Sequence, residues 1–496
     1  MPGSLQIVTV ASEMVPFAKT GGLADVTGAL PVALASLGHQ VSVIMPRYPT
    51  VERAVRSLER VHESLVVPMG SRTEYGAVWS ARLARRIPVY FIEHQGYFNR
   101  EALYTTADSD YPDNAQRFAF FAKAALEACR VLKLQPDILH CHDWQCALIP
   151  AYLKTTLPHD EVFASVGSLL TIHNIAYQGI FPPEVMEFLQ LPPQTYSPDG
   201  IEFYGRVNYL KAGIVYADLI NTVSRRYSQE IQTAEFGCGL EGILSYRGQD
   251  VYGILNGIDD REWNPASDRL IAARYTAANL AGKQVCKRDL LAAFGLAPEW
   301  MNAPVVGMIS RLVDQKGFDL IESAIHRMLA LDLGLVVLGT GEARYEDFLR
   351  QIQERYPGKM GVSIGFDNGL AHKIEAGSDI FLMPSRFEPC GLDQMYSLRY
   401  GTIPVVRATG GLDDTIESYD PALDRGNGFK FEAYNAEAML DTLQRALTLY
   451  RDRASWERLM RRAMQTDFSW ATSAQAYTEL YVKALAKRRG SAVLGR

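Results

Sequence analysis

The chain has 496 residues, of which 48% are hydrophobic and 21% are charged, as in an ordinary globular protein of two or three domains. Its formal net charge of -6 argues against a nucleic-acid partner or a membrane-surface partner. Six cysteines without a C-x-x-C pair predict free thiols, and the lack of a signal-peptide pattern or a bilayer-length apolar run adds to the expectation of a cytoplasmic location.

The chain begins with the pattern of a doubly wound α/β domain. Buried-strand and helix patterns alternate as strand, helix and strand, at 5–11, 24–37 and 41–45. The first loop carries Lys19 and the adjacent Gly21 and Gly22 at a helix N-terminus, where backbone N–H groups can face an anion. The spacing matches neither G-x-G-x-x-G nor a Walker A motif. A tight turn with an exposed lysine is the alternative interpretation.

A histidine-rich stretch, DILHCHDW at 137–144, follows a helix predicted at about 113–132. On a strand, His140 and His142 share a face, and Asp143 comes next, which suggests a metal site. However, no further ligand follows at a recognised spacing, and buried histidines are common at strand ends. We therefore expect no metal here.

Later strands of the first half also end in polar residues. The strand at 169–172 runs into His173, and the strands at 218–222 and 251–255 are likewise followed by polar residues. Polar residues at the carboxyl ends of parallel strands are typical of a ligand cleft along one edge of the sheet.

The α/β pattern restarts after Pro265. Strands are predicted at 305–309, 335–338, 362–366, 380–383 and 403–406. Arg311 and Lys316 lie in the first strand-to-helix loop of this half, and Glu388 follows the fourth strand within SRFEPCGL (385–392). A carboxylate there can meet a sugar hydroxyl or a developing positive charge, or it can simply cap a helix.

Seven motifs in order resemble the bacterial glycogen synthases of the ADP-glucose type, a family shared with plant starch synthases. They are KTGGL (19–23), HCHDW (140–144), TIHN (171–174), NGID (256–259), Arg311 with Lys316, SRFEPCGL (385–392) and TGGL (409–412). The resemblance spans about residues 5–485. It implies the GT-B fold, an α/β architecture of two Rossmann-like doubly wound domains that face each other across a cleft. The expected domains are 1–255 and 256–474, with a final helix at 475–496 that crosses back to the N-terminal domain.

The resemblance also implies a retaining transfer of glucose from ADP-glucose to the non-reducing end of an α-1,4-glucan such as glycogen. Arg311 and Lys316 would hold the leaving diphosphate, because a guanidinium fork and a mobile ammonium suit adjacent phosphates. The alternative interpretation is that both residues are solvated cations on the protein surface. Further contacts to the nucleotide sugar are implied for Lys19, Gly21, Gly22, Thr409, Gly410 and Gly411.

Glu388 resembles the family residue that positions the donor sugar. Asp143 and His173 match residues near the glucose and the acceptor, although Asp143 is alternatively a helix N-cap and His173 a core histidine. Phe366 stands where the family often has a tyrosine stacked on adenine, and its alternative role is a core aromatic.

No cofactor and no metal ion are expected, because ADP-glucose is a substrate and Arg311 and Lys316 replace the cation. Two other functions stay open: a retaining GT-B transferase that uses UDP-glucose or a small acceptor, and a silent glucan-binding homologue. The sequence also leaves open whether the chain forms a homo-oligomer.

Overall fold

The computed structural model describes residues 3–55, 57–106 and 109–494, which divide into two compact units. Unit 1 comprises Met1–Val223, Ser228–Gly257 and Trp470–Arg496, and unit 2 comprises Ser224–Tyr227 and Ile258–Ser469. The breaks at 257 and 469 lie close to the expected ones at 255 and 474. Within the described residues, no helix has both the length and the apolar character needed to cross a membrane.

Unit 1 is built on a large, mostly parallel sheet. The strands before residue 257 are β1 (Gln6–Val10), β2 (Gln40–Pro46), β3 (Glu59–Met69), β4 (Arg72–Leu83), β5 (Ile87–Glu93), β6 (Ile138–His142), β7 (Gly167–Ile172), β8 (Ile180–Phe181), β9 (Glu202–Phe203), β10 (Arg206–Asn208), β11 (Leu219–Thr222) and β12 (Val251–Gly253). Nine of them form one sheet in the order β12-β11-β7-β6-β1-β2-β5-β4-β3, in which β4 alone runs antiparallel to its neighbours. The other three form a small antiparallel sheet, β8-β10-β9.

The strand order of unit 1 reverses at β1. The chain builds outward from β1 to β2 on one side and then returns to place β6 on the other side of β1. The loops after β1 and β6 therefore leave the same edge at a topological switch point, a favoured ligand position. The helices before residue 257 are α1 (Gly22–Ser36), α2 (Pro49–Ala54), α3 (Gln95–Phe98), α4 (Asn114–Val131), α5 (Leu148–Thr155), α6 (Met186–Leu189), α7 (Tyr209–Tyr216), α8 (Arg225–Glu230) and α9 (Glu241–Tyr246).

Unit 2 repeats this plan with a fully parallel sheet. Its strands are β13 (Val305–Ile309), β14 (Gly334–Gly339), β15 (Met360–Ile364), β16 (Ile380–Met383), β17 (Ile403–Arg407) and β18 (Phe429–Phe431). The order β15-β14-β13-β16-β17-β18 again reverses beside its first strand, so β13 and β16 flank the switch point. The helices are α10 (Ala281–Phe294), α11 (Phe318–Leu329), α12 (Ala343–Arg355), α13 (Asn368–Gly377), α14 (Asp393–Arg399), α15 (Gly410–Thr415), α16 (Ala436–Arg451) and α17 (Arg453–Met464).

The last helix, α18 (Trp470–Leu494), belongs to unit 1. Its buried face, which includes Tyr477, Leu480 and Tyr481, shares a hydrophobic cluster with Leu30 of α1 and Ile138 of β6. Burying an aliphatic or aromatic side chain of this size contributes about 1.5–3 kcal/mol. The apolar face of α18 therefore fastens the chain's end to the sheet that carries the unit 1 loops.

A buried hydrogen bond accompanies that packing. The Tyr481 hydroxyl lies 2.9 Å from Nδ1 of His140, whose Nε2 lies 2.7 Å from the Thr171 hydroxyl. Tyr481, His140 and Thr171 are each essentially inaccessible to solvent. Polar groups in such a place need partners, since a buried polar atom without a hydrogen bond is destabilising.

We expect Tyr481→Phe to lower the free energy of unfolding by about 1–3 kcal/mol, because His140 Nδ1 then has no partner in a dry site. The matched control is Tyr246→Phe, since Tyr246 is 85% exposed and its change should leave stability unaltered. Thermal denaturation of both variants makes the comparison. Equal melting temperatures would mean that the Tyr481 hydroxyl contributes nothing to the fold.

Candidate active site

Three loops of unit 2 meet at the carboxyl ends of the neighbouring strands β13, β16 and β17. The Arg386 amide donates to the Gln315 carbonyl at 2.9 Å, which ties the loop after β16 to the loop after β13. The Gly411 amide donates to the Glu388 carbonyl at 3.1 Å, which ties the loop after β17 to the loop after β16. Backbone bonds of this kind give the residues on the three loops fixed relative positions.

Two glycines allow these three loops to approach one another closely. Gly317 has a φ of +80° and Gly410 a φ of +45°, values that side-chain-bearing residues rarely adopt. A Cβ at Gly317 would overlap the Pro384 carbonyl oxygen, and one at Gly410 would overlap the Glu388 carbonyl oxygen. Any larger residue at either glycine would displace the loop that carries Glu388.

Glu388 lies at the centre of these loops and is 6% exposed. Its Oε2 lies 2.5 Å from the Lys316 ammonium and accepts a hydrogen bond from the Ser385 hydroxyl at 3.1 Å. The alternative role as a helix cap is wrong, because α14 begins at Asp393 with Leu392 as its N-cap. The carboxylate is thus held by a cation and a hydroxyl.

Arg311 and Lys316 occupy the same strand-to-helix loop but differ in setting. Arg311 is exposed, and its guanidinium donates to the Gln315 side chain at 3.2 Å. The Lys316 side chain is 16% exposed and paired, so the interpretation of both residues as solvated surface cations is wrong for Lys316. The site has one anchored cation and one that is free to reorient.

Phe366 is 89% exposed, two residues beyond the end of β15. The alternative role as a core aromatic is therefore wrong. The backbone around it is held on both sides: the Gly365 amide donates to the Gly339 carbonyl at 3.0 Å, and the Asp367 carboxylate caps α13. An exposed aromatic ring on a fixed backbone provides a stacking surface. Thr409, in contrast, is buried.

In unit 1, the glycine-rich loop between β1 and α1 is organised by Glu13, which sequence analysis missed. The Glu13 carboxylate is 3% exposed and accepts hydrogen bonds from the Thr20 amide (2.5 Å), the Thr20 hydroxyl (2.6 Å) and the Gly21 amide (3.3 Å). The Tyr104 hydroxyl also donates to it at 2.7 Å. An acidic residue directly after a buried strand and before a glycine pair was the signal available in the sequence.

The hydrogen bonds to Glu13 determine which N–H donors of this loop remain available to an anion. The Gly21 amide donates to Glu13, whereas Gly22 begins α1, and an added Cβ there meets nothing within 4 Å. Lys19 is half-exposed and pairs with Asp25 at 2.7 Å. Lys19 and the Gly22 amide are thus the accessible donors of this loop.

Asp143 and His173 lie at the ends of the adjacent strands β6 and β7. Asp143 Oδ1 accepts the His173 amide at 2.7 Å, and the Asp143 amide donates to the Thr171 carbonyl at 2.9 Å. Asp143 also has a φ of +55°, a strained value that is typical of functional positions. The alternative role as an N-cap is wrong, because α5 is capped by Ala147.

Burial alters the ionisation of Asp143 and of the neighbouring histidines. Burial raises the pKa of the Asp143 carboxyl to about 7, and the nearby Glu13 carboxylate contributes to that increase. Burial likewise lowers the pKa of His140 and of His173 to about 3, so both imidazoles are neutral near pH 7. In the described part of the chain, no three His, Cys, Asp or Glu side chains are arranged to hold a metal ion.

We expect Asp143→Asn to remove a pH dependence of stability. The folded-state pKa of about 7 lies above the ordinary 3.8, so wild-type stability is fully present below pH 3.8 and is lost as the pH rises toward 7. Asn keeps the acceptor oxygen, tolerates a positive φ and cannot ionise. Between about pH 4 and about pH 7 the wild type should lose on the order of 3 kcal/mol relative to the variant.

Denaturant titrations of both proteins at several pH values measure this difference. Because all other ionisable groups are shared, they cancel when the two curves are subtracted. A difference that stays constant across the pH range would contradict the raised pKa of Asp143.

Known proteins match this sequence over nearly its whole length. The family model described as the starch synthase catalytic domain matches residues 6–246, and that of glycosyl transferases group 1 matches residues 298–462. The chain is 51% identical to the glycogen synthase of Koribacter versatilis over 97% of this chain and 98% of that protein. It is 48% identical to glycogen synthase 1 of Geobacter metallireducens over 99% and 98% of the two chains.

The fold also matches that of a solved structure. The catalytic domain of starch synthase IV from Arabidopsis thaliana, bound to ADP and acarbose, superposes with a TM-score of 0.89 at 35% identity over 97% of this chain and all of that one. The predicted GT-B fold of two Rossmann-like domains is thereby confirmed. The chain belongs to the glycosyltransferase family of bacterial glycogen synthases and plant starch synthases.

Proposed function

We propose that this protein transfers glucose from ADP-glucose to the non-reducing end of an α-1,4-glucan with retention of the anomeric configuration. The observation that carries the proposal is the Lys316–Glu388 pair, 2.5 Å apart, at the junction of three strand-end loops. A paired cation and carboxylate at that position suit a substrate in which a diphosphate is joined to a sugar. The ADP in the related starch synthase IV structure supports adenine as the base.

Lys316 has the chemistry to neutralise the leaving diphosphate. An ammonium has three donors, so Lys316 can keep its bond to Glu388 and still donate to a phosphate oxygen. Arg311 brings a planar fork that binds two phosphate oxygens at once, and its exposed side chain is free to turn toward them. Together these fixed charges stabilise the negative charge that develops as the sugar–phosphate bond breaks.

Glu388 serves the donor sugar in this proposal. Lys316 and the Ser385 hydroxyl both bond to Oε2, so Oε1 is the oxygen left to accept from a sugar hydroxyl or to face a developing oxocarbenium ion. Thr409, Gly410 and Gly411 bring backbone to the same junction, since the Gly411 amide holds the Glu388 carbonyl. The three loops thus form one preorganised donor site.

Unit 1 carries polar groups of its own at the carboxyl edge of its sheet. Lys19 and the Gly22 amide are assigned to the diphosphate, with Gly21 supporting the loop through Glu13. His173 and Asp143 are assigned to the glucosyl unit and the acceptor. Neutral His173 suits hydrogen bonding to sugar hydroxyls, because a neutral imidazole carries an N–H that a hydroxyl oxygen can accept. We further propose a cytoplasmic location, in keeping with six free thiols.

The proposal is tested by glucose transfer to glycogen from ADP-glucose and from UDP-glucose in parallel, with EDTA present, following release of the nucleoside diphosphate. We expect ADP-glucose to react at least about tenfold faster, as about 1.4 kcal/mol of differing base contacts would give. Transfer from UDP-glucose alone would overturn the adenine assignment. Loss of transfer in EDTA, restored by Mg²⁺, would overturn the assignment of Arg311 and Lys316 as replacements for a cation.

Lys316→Met provides the catalytic control for that assay. It should lower kcat by about a hundredfold or more while glycogen still binds, because the positive charge that faces the leaving diphosphate is lost. The matched control is Lys373→Met, which breaks the partly exposed ion pair with Asp289 in the same unit and should keep full activity. Glycogen binding without transfer in the wild type would identify a silent glucan-binding homologue.

The stacking surface at Phe366 makes a separate prediction. Phe366→Ala should raise the KM for ADP-glucose by about 5- to 100-fold, since stacking on a base contributes about 1–3 kcal/mol. Phe366→Tyr should keep the wild-type KM because the ring face remains. Neither change should alter the melting temperature, as the side chain is 89% exposed.

The control is Tyr246→Ala, which removes another exposed ring and should leave the KM unchanged. If Phe366→Ala and Tyr246→Ala have the same KM as the wild type, Phe366 takes no part in donor binding.

A further inference from the structure

Three buried imidazoles follow one another at the carboxyl ends of β6 and β7. The rings of His140 and His142 have centroids 4.1 Å apart, and those of His142 and His173 are 5.2 Å apart. His142 Nδ1 lies 2.9 Å from His173 Nε2, a hydrogen-bond distance. Among the described residues, His142 is the one whose side chain lies at hydrogen-bond distance from the His173 ring.

The hydrogen bond between these rings has two arrangements. Burial lowers the pKa of His142 well below its ordinary value and that of His173 to about 3, so each ring is neutral and carries one proton. Either His142 Nδ1–H donates to His173 Nε2, or His173 Nε2–H donates to His142 Nδ1. In the second case, the proton of His142 must sit on its Nε2.

The surroundings of His142 Nε2 decide between these two arrangements of the hydrogen bond. This atom is buried, and no described residue offers it a hydrogen bond. A proton there would be a buried N–H without an acceptor, which native structures rarely contain. Without a proton the atom is an unused acceptor, a less costly state, so the proton of His142 belongs on Nδ1.

We propose that His142 is a positioning residue that donates its Nδ1–H to Nε2 of His173 and so holds His173 in the tautomer with its proton on Nδ1. The ring of His142 packs against the ring of His140, which is anchored in turn by hydrogen bonds to Tyr481 and Thr171. His173 then has a single N–H to offer a ligand. The inference rests on the proposed function in one respect: the ligand oxygen that accepts this N–H is a sugar hydroxyl.

The tautomer is measured directly by nitrogen NMR of the full-length enzyme labelled with ¹⁵N-histidine. The chain has nine histidines, and His173→Gln identifies the signals of His173 by their loss. We expect an Nδ1-protonated, neutral His173 throughout the neutral pH range. A proton on Nε2 of His173, or a cationic ring, would overturn the inference. This readout needs no substrate, so it stands apart from any failure of the glucose-transfer assay.

A pair of variants links the tautomer to the reaction. Asn places an amide N–H near the Nδ1 position, so His142→Asn should keep kcat within about threefold, whereas His142→Leu has no donor and should lower it by about tenfold to a hundredfold. In His142→Leu the His173 signals should also show a changed tautomer. Equal kcat and equal tautomers in the two variants would contradict the role of His142, and if His142→Leu does not fold, the wild-type spectrum decides alone.

Discussion

Parallel strands that are hydrogen-bonded neighbours end at the same edge of a sheet. In each of the two large sheets, the proposed site lies at the ends of the two neighbouring strands where the strand order reverses. In unit 1 these are β1 and β6, and in unit 2 they are β13 and β16. The helices that follow neighbouring strands at such a point go to opposite faces of the sheet, so their loops part and leave room for a ligand. Most of the proposed site residues lie at these two edges, and the others follow adjacent strands.

The two edges differ in their electrostatics. In unit 2, a carboxylate and an ammonium are buried together, and each offsets the other's loss of hydration. In unit 1, the imidazoles are neutral and the Asp143 carboxyl resists ionisation, since burial without a cation partner favours uncharged forms. Charge for the diphosphate is thus concentrated in unit 2, whereas unit 1 mainly offers hydrogen-bonding groups suited to sugar hydroxyls.

Backbone positions on these loops are held by contacts within the protein. Glu13 takes the amides of Thr20 and Gly21, and thereby fixes the entrance to α1. Gly317 and Gly410 let neighbouring loops approach within reach of Glu388. In each case a group of the proposed site is held in place by a contact behind it, and such preorganisation lowers the cost of ordering a site when a ligand binds.

Local patterns along the chain were sufficient to predict the two α/β domains and the strand-end placement of Glu388, Lys316, Asp143 and His173, because apolar runs followed by polar residues are local features. Which of these groups bond to one another became known from the folded structure alone. Lys316 meets Glu388 across 72 residues, and Tyr481 meets His140 across 341. The folded structure was also needed to establish the exposure of Phe366, the role of Glu13 and the raised pKa of Asp143. Burial and hydrogen-bond partners depend on packing between distant segments, and periodicity along the chain carries no information about that packing.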